Sequence, residues 1–289
     1  MLERMLNVLG NPHFEAWIAG PIVSGLVGIV FSALARGRND ANPDDATRTP
    51  AEVREALSAE QAKRPEQQQI HHHHHHYHSQ KQGDDAFPIF VLVAGALVCL
   101  GSLLFAAYLP AIANGLYWLT ASVACFATAT TLFSGFAGRL NTPTWWWHAV
   151  SPVAASLLCF YVATVAHASI TPEVIDYAQK LLGDRPLTMQ TLISSGMAFV
   201  KGIGMSYVNR MLFVMFAVVI LFAVSLICAV QCVYCVALVT VRDAAGSFWK
   251  HLVGMTSWVG GTGTKIAVWL GLPFAWFLAS GRFYGLVSN

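Results

Sequence analysis

Between Ala86 and Gly138 the chain carries no Asp, Glu, Lys or Arg, and a second uncharged stretch runs from Met211 to Val241. A helix needs about 20 mainly apolar residues to cross a ~30 Å hydrocarbon core, where only internally hydrogen-bonded backbone is tolerated. The first stretch is long enough for two crossings, the second for one long or tilted crossing. Composition agrees, with 55% hydrophobic and 11% charged residues, against about 25% charged in average soluble domains. These features predict an all-α fold, a polytopic transmembrane helical bundle in contact with the lipid bilayer.

At 289 residues, one bundle and a modest polar segment use up the chain, leaving little room for a second large soluble domain. The net charge of +2 and the scattered bases point away from nucleic acid. Cys99, Cys125, Cys159, Cys228, Cys232 and Cys235 all fall in apolar stretches rather than in polar loops, so no disulfide framework is expected.

Residues 1–36 read as an N-terminal transmembrane helix, its apolar run extending from Ala16 to Ala35. Ala33 and Ala35 would suit signal cleavage, but Arg4 is offset by Glu3 and the stronger positive charge, Arg36 and Arg38, follows the run. An uncleaved helix with its N-terminus outside is expected. Gly20, Ser24, Gly28 and Ser32 recur every four residues, a ridge of small side chains that lets another helix approach closely.

Residues 37–85 invert the composition toward Asn, Asp, Pro, Glu, Gln and Arg, and predict a disordered polar linker with too little apolar surface to offset ordering entropy. Within it Pro50 to Arg64 suits a short amphipathic helix, with Thr49 as cap and Pro50 in the first turn. The seven bases from Arg36 to Lys81 favour a cytoplasmic linker.

Residues 86–289 hold the remaining crossings. Phe87 to Leu109 and Gly115 to Phe136 predict two antiparallel crossings joined by a tight hairpin at Pro110 and Asn114-Gly115. Trp145, Trp146 and Trp147 then read as interfacial anchors heading a fourth crossing, His148 to Ile170. Residues 171–210 predict an interfacial segment: a surface helix from Pro172 to Leu182 and an interfacial or re-entrant helix from Met189 to Val208, which Lys201, Gly196, Gly202 and Gly204 make a poor crossing. Met211 to Val241 is the fifth crossing, and the run between Lys265 and Arg282 is a short sixth that needs both bases to snorkel.

The most conspicuous local feature is the run His71, His72, His73, His74, His75, His76 with His78 after Tyr77. Neutral imidazoles ligate metal ions. Three readings stay open: an inserted purification tag, a native tract that binds metal adventitiously, and a functional metal buffer. A metal or proton-coupled carrier would also need ionisable ligands at depth, and the predicted crossings contain no Asp or Glu.

Cys228, Cys232 and Cys235 share one helix face, where a soft metal would need a fourth ligand; packing is the simpler use of small buried thiols. Gly260 to Lys265 departs from the phosphate-loop spacing, with Ile266 where a hydroxyl residue should follow the lysine. Ser194-Ser195-Gly196 lacks the frame of a serine hydrolase. The chain is therefore expected to be non-enzymatic and to need no cofactor. The leading expectation is a structural or scaffold subunit of a multi-protein assembly in the bacterial inner membrane, of secretion, conjugation or defence type. Its partners would be other membrane-protein subunits or further copies of the chain. A channel or transporter is the alternative, and a metal-responsive membrane protein using the histidine tract is the second.

Overall fold

The computed structural model describes residues 12–34, 48–62, 86–183, 188–243 and 246–287. Among them every regular element is helical: α1 Pro12–Leu34, α2 Pro50–Ala62, α3 Ala86–Phe136, α4 Pro143–Ala168, α5 Pro172–Gly183, α6 Met189–Ile203, α7 Met205–Asp243, α8 Ser247–Thr256, a single 3-10 turn Ser257–Gly260, α9 Thr262–Ala279 and α10 Arg282–Val287. Local chemistry sets many of these bounds. Proline opens α2, α4 and α5, where its missing N–H costs nothing. Gly138, Gly204 and Gly281 follow α3, α6 and α9 with φ of 68°, 83° and 74°, a region open to glycine and strained for other residues. At Gly138 the chain makes a paired helix-ending motif, with Gly138 N donating to Gly135 O (2.9 Å) and Arg139 N to Ser134 O (3.0 Å).

Among the described residues, four segments are long and apolar enough to cross a membrane: Gly95–Phe136, Pro143–Ala168, Met205–Arg242 and Thr262–Ala279; Gly20–Leu34 is a shorter apolar helix. The expected hairpin at Pro110 is absent. Residues 86–136 form one 51-residue helix with Pro110 and Asn114-Gly115 inside it, so the two crossings expected there become one candidate span. The proline's fixed φ fits a helix, at the cost of the hydrogen bond to the carbonyl of residue 106 and of crowding against that carbonyl. In apolar surroundings a proline within a helix is tolerated when neighbouring groups satisfy the freed backbone. Gln179 Nε2 donates to the carbonyl of Ala107, one residue beyond that gap (3.1 Å).

The chain divides into two compact units, the first comprising Met1–Leu57, Pro110–Ser169 and Phe213–Asn289, the second Ser58–Leu109 and Ile170–Leu212. In the first unit α1 runs parallel to the later part of α3, because Gly20 lies against Trp118 and Gly28 against Phe126 and Ala129. Helix α4 returns antiparallel: Tyr117 OH donates to Ala163 O (3.4 Å) and Thr131 Oγ1 to Ala149 O (3.0 Å). Helices α7 and α9 are likewise antiparallel, with Gly260 against Tyr234, Gly271 facing Ile220 and Val224, and Phe283 edge-on to Phe213 at 4.9 Å. Helix α2, inside the expected linker, joins this unit's core: Val53 and Leu57 are buried with Leu140, Trp145, Leu238 and Val253.

In the second unit α5 and α6 pack on each other and on the early part of α3. Phe199 is fully buried and stacks on Tyr177 at 6.0 Å. Gly196 brings the backbones together, since a Cβ there would stand 3.2 Å from the carbonyl carbon of Cys99. The apolar segment expected to run on to Val208 breaks at Gly204, so residues 205–208 belong to α7.

Helix α2 is capped reciprocally, Thr49 N donating to Glu52 Oε2 (2.7 Å) and Glu52 N to Thr49 Oγ1 (3.4 Å). Because α2 contributes to the core, Thr49→Ala should lower stability by about 1 kcal/mol, measured by denaturant titration in detergent. An unchanged midpoint would mean that α2 unfolds independently of the helices it covers.

Candidate functional site

One cluster of charged and aromatic side chains in the first unit lies at the end where α3 and α7 terminate and α4 and α9 begin. Trp145 is fully buried. Its indole Nε1 donates to the Arg48 carbonyl just before α2 (3.0 Å), and the Arg242 guanidinium from the end of α7 lies over its ring, 5.1 Å from the centroid. Arg139 and Arg242 are both buried there. The expectation of three interfacial indoles therefore needs correction. Trp146 and Trp147 are exposed at 43% and 55%, but Trp145 is a core residue that ties α2, α4 and α7 together. Successive helical positions are turned by about 100°, so three adjacent indoles cannot all face outward.

One turn further, His148 Nδ1 lies 2.8 Å from the Thr144 carbonyl and His148 Nε2 2.8 Å from Lys265 Nζ. Trp269 donates from Nε1 to Ser151 Oγ (3.2 Å) and stacks on Trp147 at 6.2 Å. Helices α4 and α9 are thus joined by alternating polar and aromatic contacts, separated in sequence by more than a hundred residues.

Deeper in the unit, Thr130, Thr131, Ser134, Cys232 and Cys235 border a cavity of about 10 Å³, near the minimum that one water needs. Several buried hydroxyls donate within their own helix: Thr120 to Leu116 O, Ser225 to Leu221 O and Thr240 to Val236 O, at 2.9, 2.7 and 2.7 Å. Cys159, Cys228, Cys232 and Cys235 are buried free thiols. Among the described residues no group of three or more His, Cys, Asp or Glu is placed to hold a metal ion.

Of the residues singled out in the sequence, Gly20, Gly28 and Ser32 are buried and Ser24 is half-buried, on the side of α1 that faces α3. The run from His71 to His78 lies outside the described residues. In the glycine-rich turn, Gly261 precedes α9, Thr264 Oγ1 donates to Trp258 O (3.0 Å) and Lys265 is engaged by His148. Ser194 and Ser195 donate to the carbonyls of Thr191 (2.9 Å) and Leu181 (3.3 Å). The Trp145–Arg242 and His148–Lys265 pairs went unnoticed in the sequence. The local signals are His148 directly after Trp147 at the head of α4 and Arg242 at the end of α7; Lys265 carries none.

The fold and this arrangement define an integral membrane protein built from apolar helices. Neither a model of a known protein family, nor a curated protein, nor a solved structure matches the chain.

Proposed function

We propose that the protein is a non-enzymatic structural or scaffold subunit of a multi-protein assembly in the bacterial inner membrane, of secretion, conjugation or defence type. The observation that carries this reading is how the polar groups of the apolar helices are used. Buried Ser and Thr donate to carbonyls of the helical backbone, while Arg242 and Lys265 face an indole and an imidazole of the same unit. The hydroxyls are satisfied inside their own helices and the two bases inside the unit, so neither set is presented to a substrate or ion path, and this supports a packing role. The bases Arg48, Arg54, Arg139, Arg242 and Lys265 belong to the end of the first unit that α2 covers; by the positive-inside tendency this end faces the cytoplasm.

The test is the native mass of the protein released from its own membranes in mild detergent. A discrete species well above the chain's 31.3 kDa plus detergent, containing a reproducible set of other membrane subunits or further copies, is expected. A monodisperse single chain would overturn the reading. The second reading is a channel, which would need a path far wider than the cavity of about 10 Å³ beside Thr130 and Ser134. Ion or solute flux through liposomes carrying only this chain would establish it.

A further inference from the structure

We propose that His148 and Lys265 form a proton-sensitive latch between α4 and α9, closed while the imidazole is neutral and released in acid. The inference rests on donor and acceptor chemistry and is independent of the subunit reading above. The Thr144 carbonyl oxygen can only accept, so the hydrogen on His148 Nδ1 points to it at 2.8 Å. In the neutral ring Nε2 then carries a lone pair, which accepts from the Lys265 ammonium at 2.8 Å. A second proton on the imidazole removes that acceptor and sets two cations at hydrogen-bond distance. The latch therefore holds while the imidazole is neutral and is lost once the pH is low enough to protonate it.

Among the described residues little else compensates the added charge. Lys265 is the charged group that acts on His148, and the ionisable neighbour of Lys265 is the Cys235 thiol on α7. On the other flanks stand Ser151 and Trp269, which do not titrate. The first turn of α9 is also free to respond. Gly263 has open space around it, and besides Lys265 the side-chain tether there is Thr264 on the Trp258 carbonyl. Release would loosen residues 262–266 while the Trp147–Trp269 stack still holds the helix further along.

The experiment is hydrogen–deuterium exchange of the full chain in mild detergent at about pH 8 and about pH 5.5, either side of the imidazole range, corrected for the intrinsic pH dependence of exchange. The amides from Lys265 to Trp269, which close the first turns of α9 beginning with Lys265 N on Gly261 O, are expected to exchange about tenfold faster in acid, the scale of one lost charge-assisted hydrogen bond. His148→Gln, whose amide oxygen accepts from Lys265 without titrating, should abolish that difference. Lys265→Gln should abolish it by removing the repelled cation, and serves if the first variant does not fold. Equal corrected rates in the wild-type chain at both pH values would overturn the proposal. So would an undiminished acid response in whichever variant folds, because the response would then belong to another group.

Discussion

Trp145→Ala is expected to destabilise the protein by about 3–5 kcal/mol, the range for truncating a large buried aromatic. Trp145 is fully buried in the cluster that gathers Val53, Leu57, Leu238 and Val253, and its removal does more than open a cavity. The Arg48 carbonyl loses the indole donor at 3.0 Å, and the buried Arg242 guanidinium loses the ring beneath it. Trp147→Ala is the control, because that side chain is 55% exposed and its replacement should cost much less. Unfolding in detergent by a graded denaturant measures both. If the two variants lose the same stability, Trp145 is acting as an interfacial anchor after all and the arrangement around it is wrong.

Gly28→Leu should cost about 1–3 kcal/mol, as for an overpacked site. A Cβ at Gly28 would stand 3.1 Å from the Phe126 carbonyl oxygen and 3.3 Å from Ala129 Cβ. The nearest atom is backbone, so relief requires α1 and α3 to separate. Gly25→Leu, on the same helix, provides the comparison: nothing lies within 4 Å of a Cβ there, and the change should be close to neutral. Equal stability of the two variants would remove the close approach of α1 and α3. A loss of assembly size without loss of stability in Gly28→Leu would instead place the ridge at a contact with another chain.

Some of this was legible residue by residue. The start of α2 was readable because capping is local chemistry: Thr49, Pro50 and Glu52 lie within one turn of one another. The four-residue spacing of Gly20, Ser24, Gly28 and Ser32 marked one stripe of α1, since helical periodicity needs no neighbour to be seen. Pro110 misled for the opposite reason. Proline four residues before an Asn-Gly pair is a turn signal in water, but with apolar residues on both sides the continuous helix satisfies more backbone than a hairpin would. Gln179, which donates near the gap, lies 72 positions from Ala107.

The sequence alone determined that this is an α-helical membrane protein, because the demand of a hydrocarbon core acts on each segment separately. Length, absence of charge and internal backbone pairing are properties of a segment by itself. Which of three adjacent tryptophans turns inward, which lysine meets which histidine 117 positions away and which glycine admits a neighbouring backbone were decided only by tertiary structure. Those choices depend on shape and donor–acceptor matching between surfaces far apart in the chain. A lipid-facing and a protein-facing side of an apolar helix carry nearly the same residues, so composition does not distinguish them.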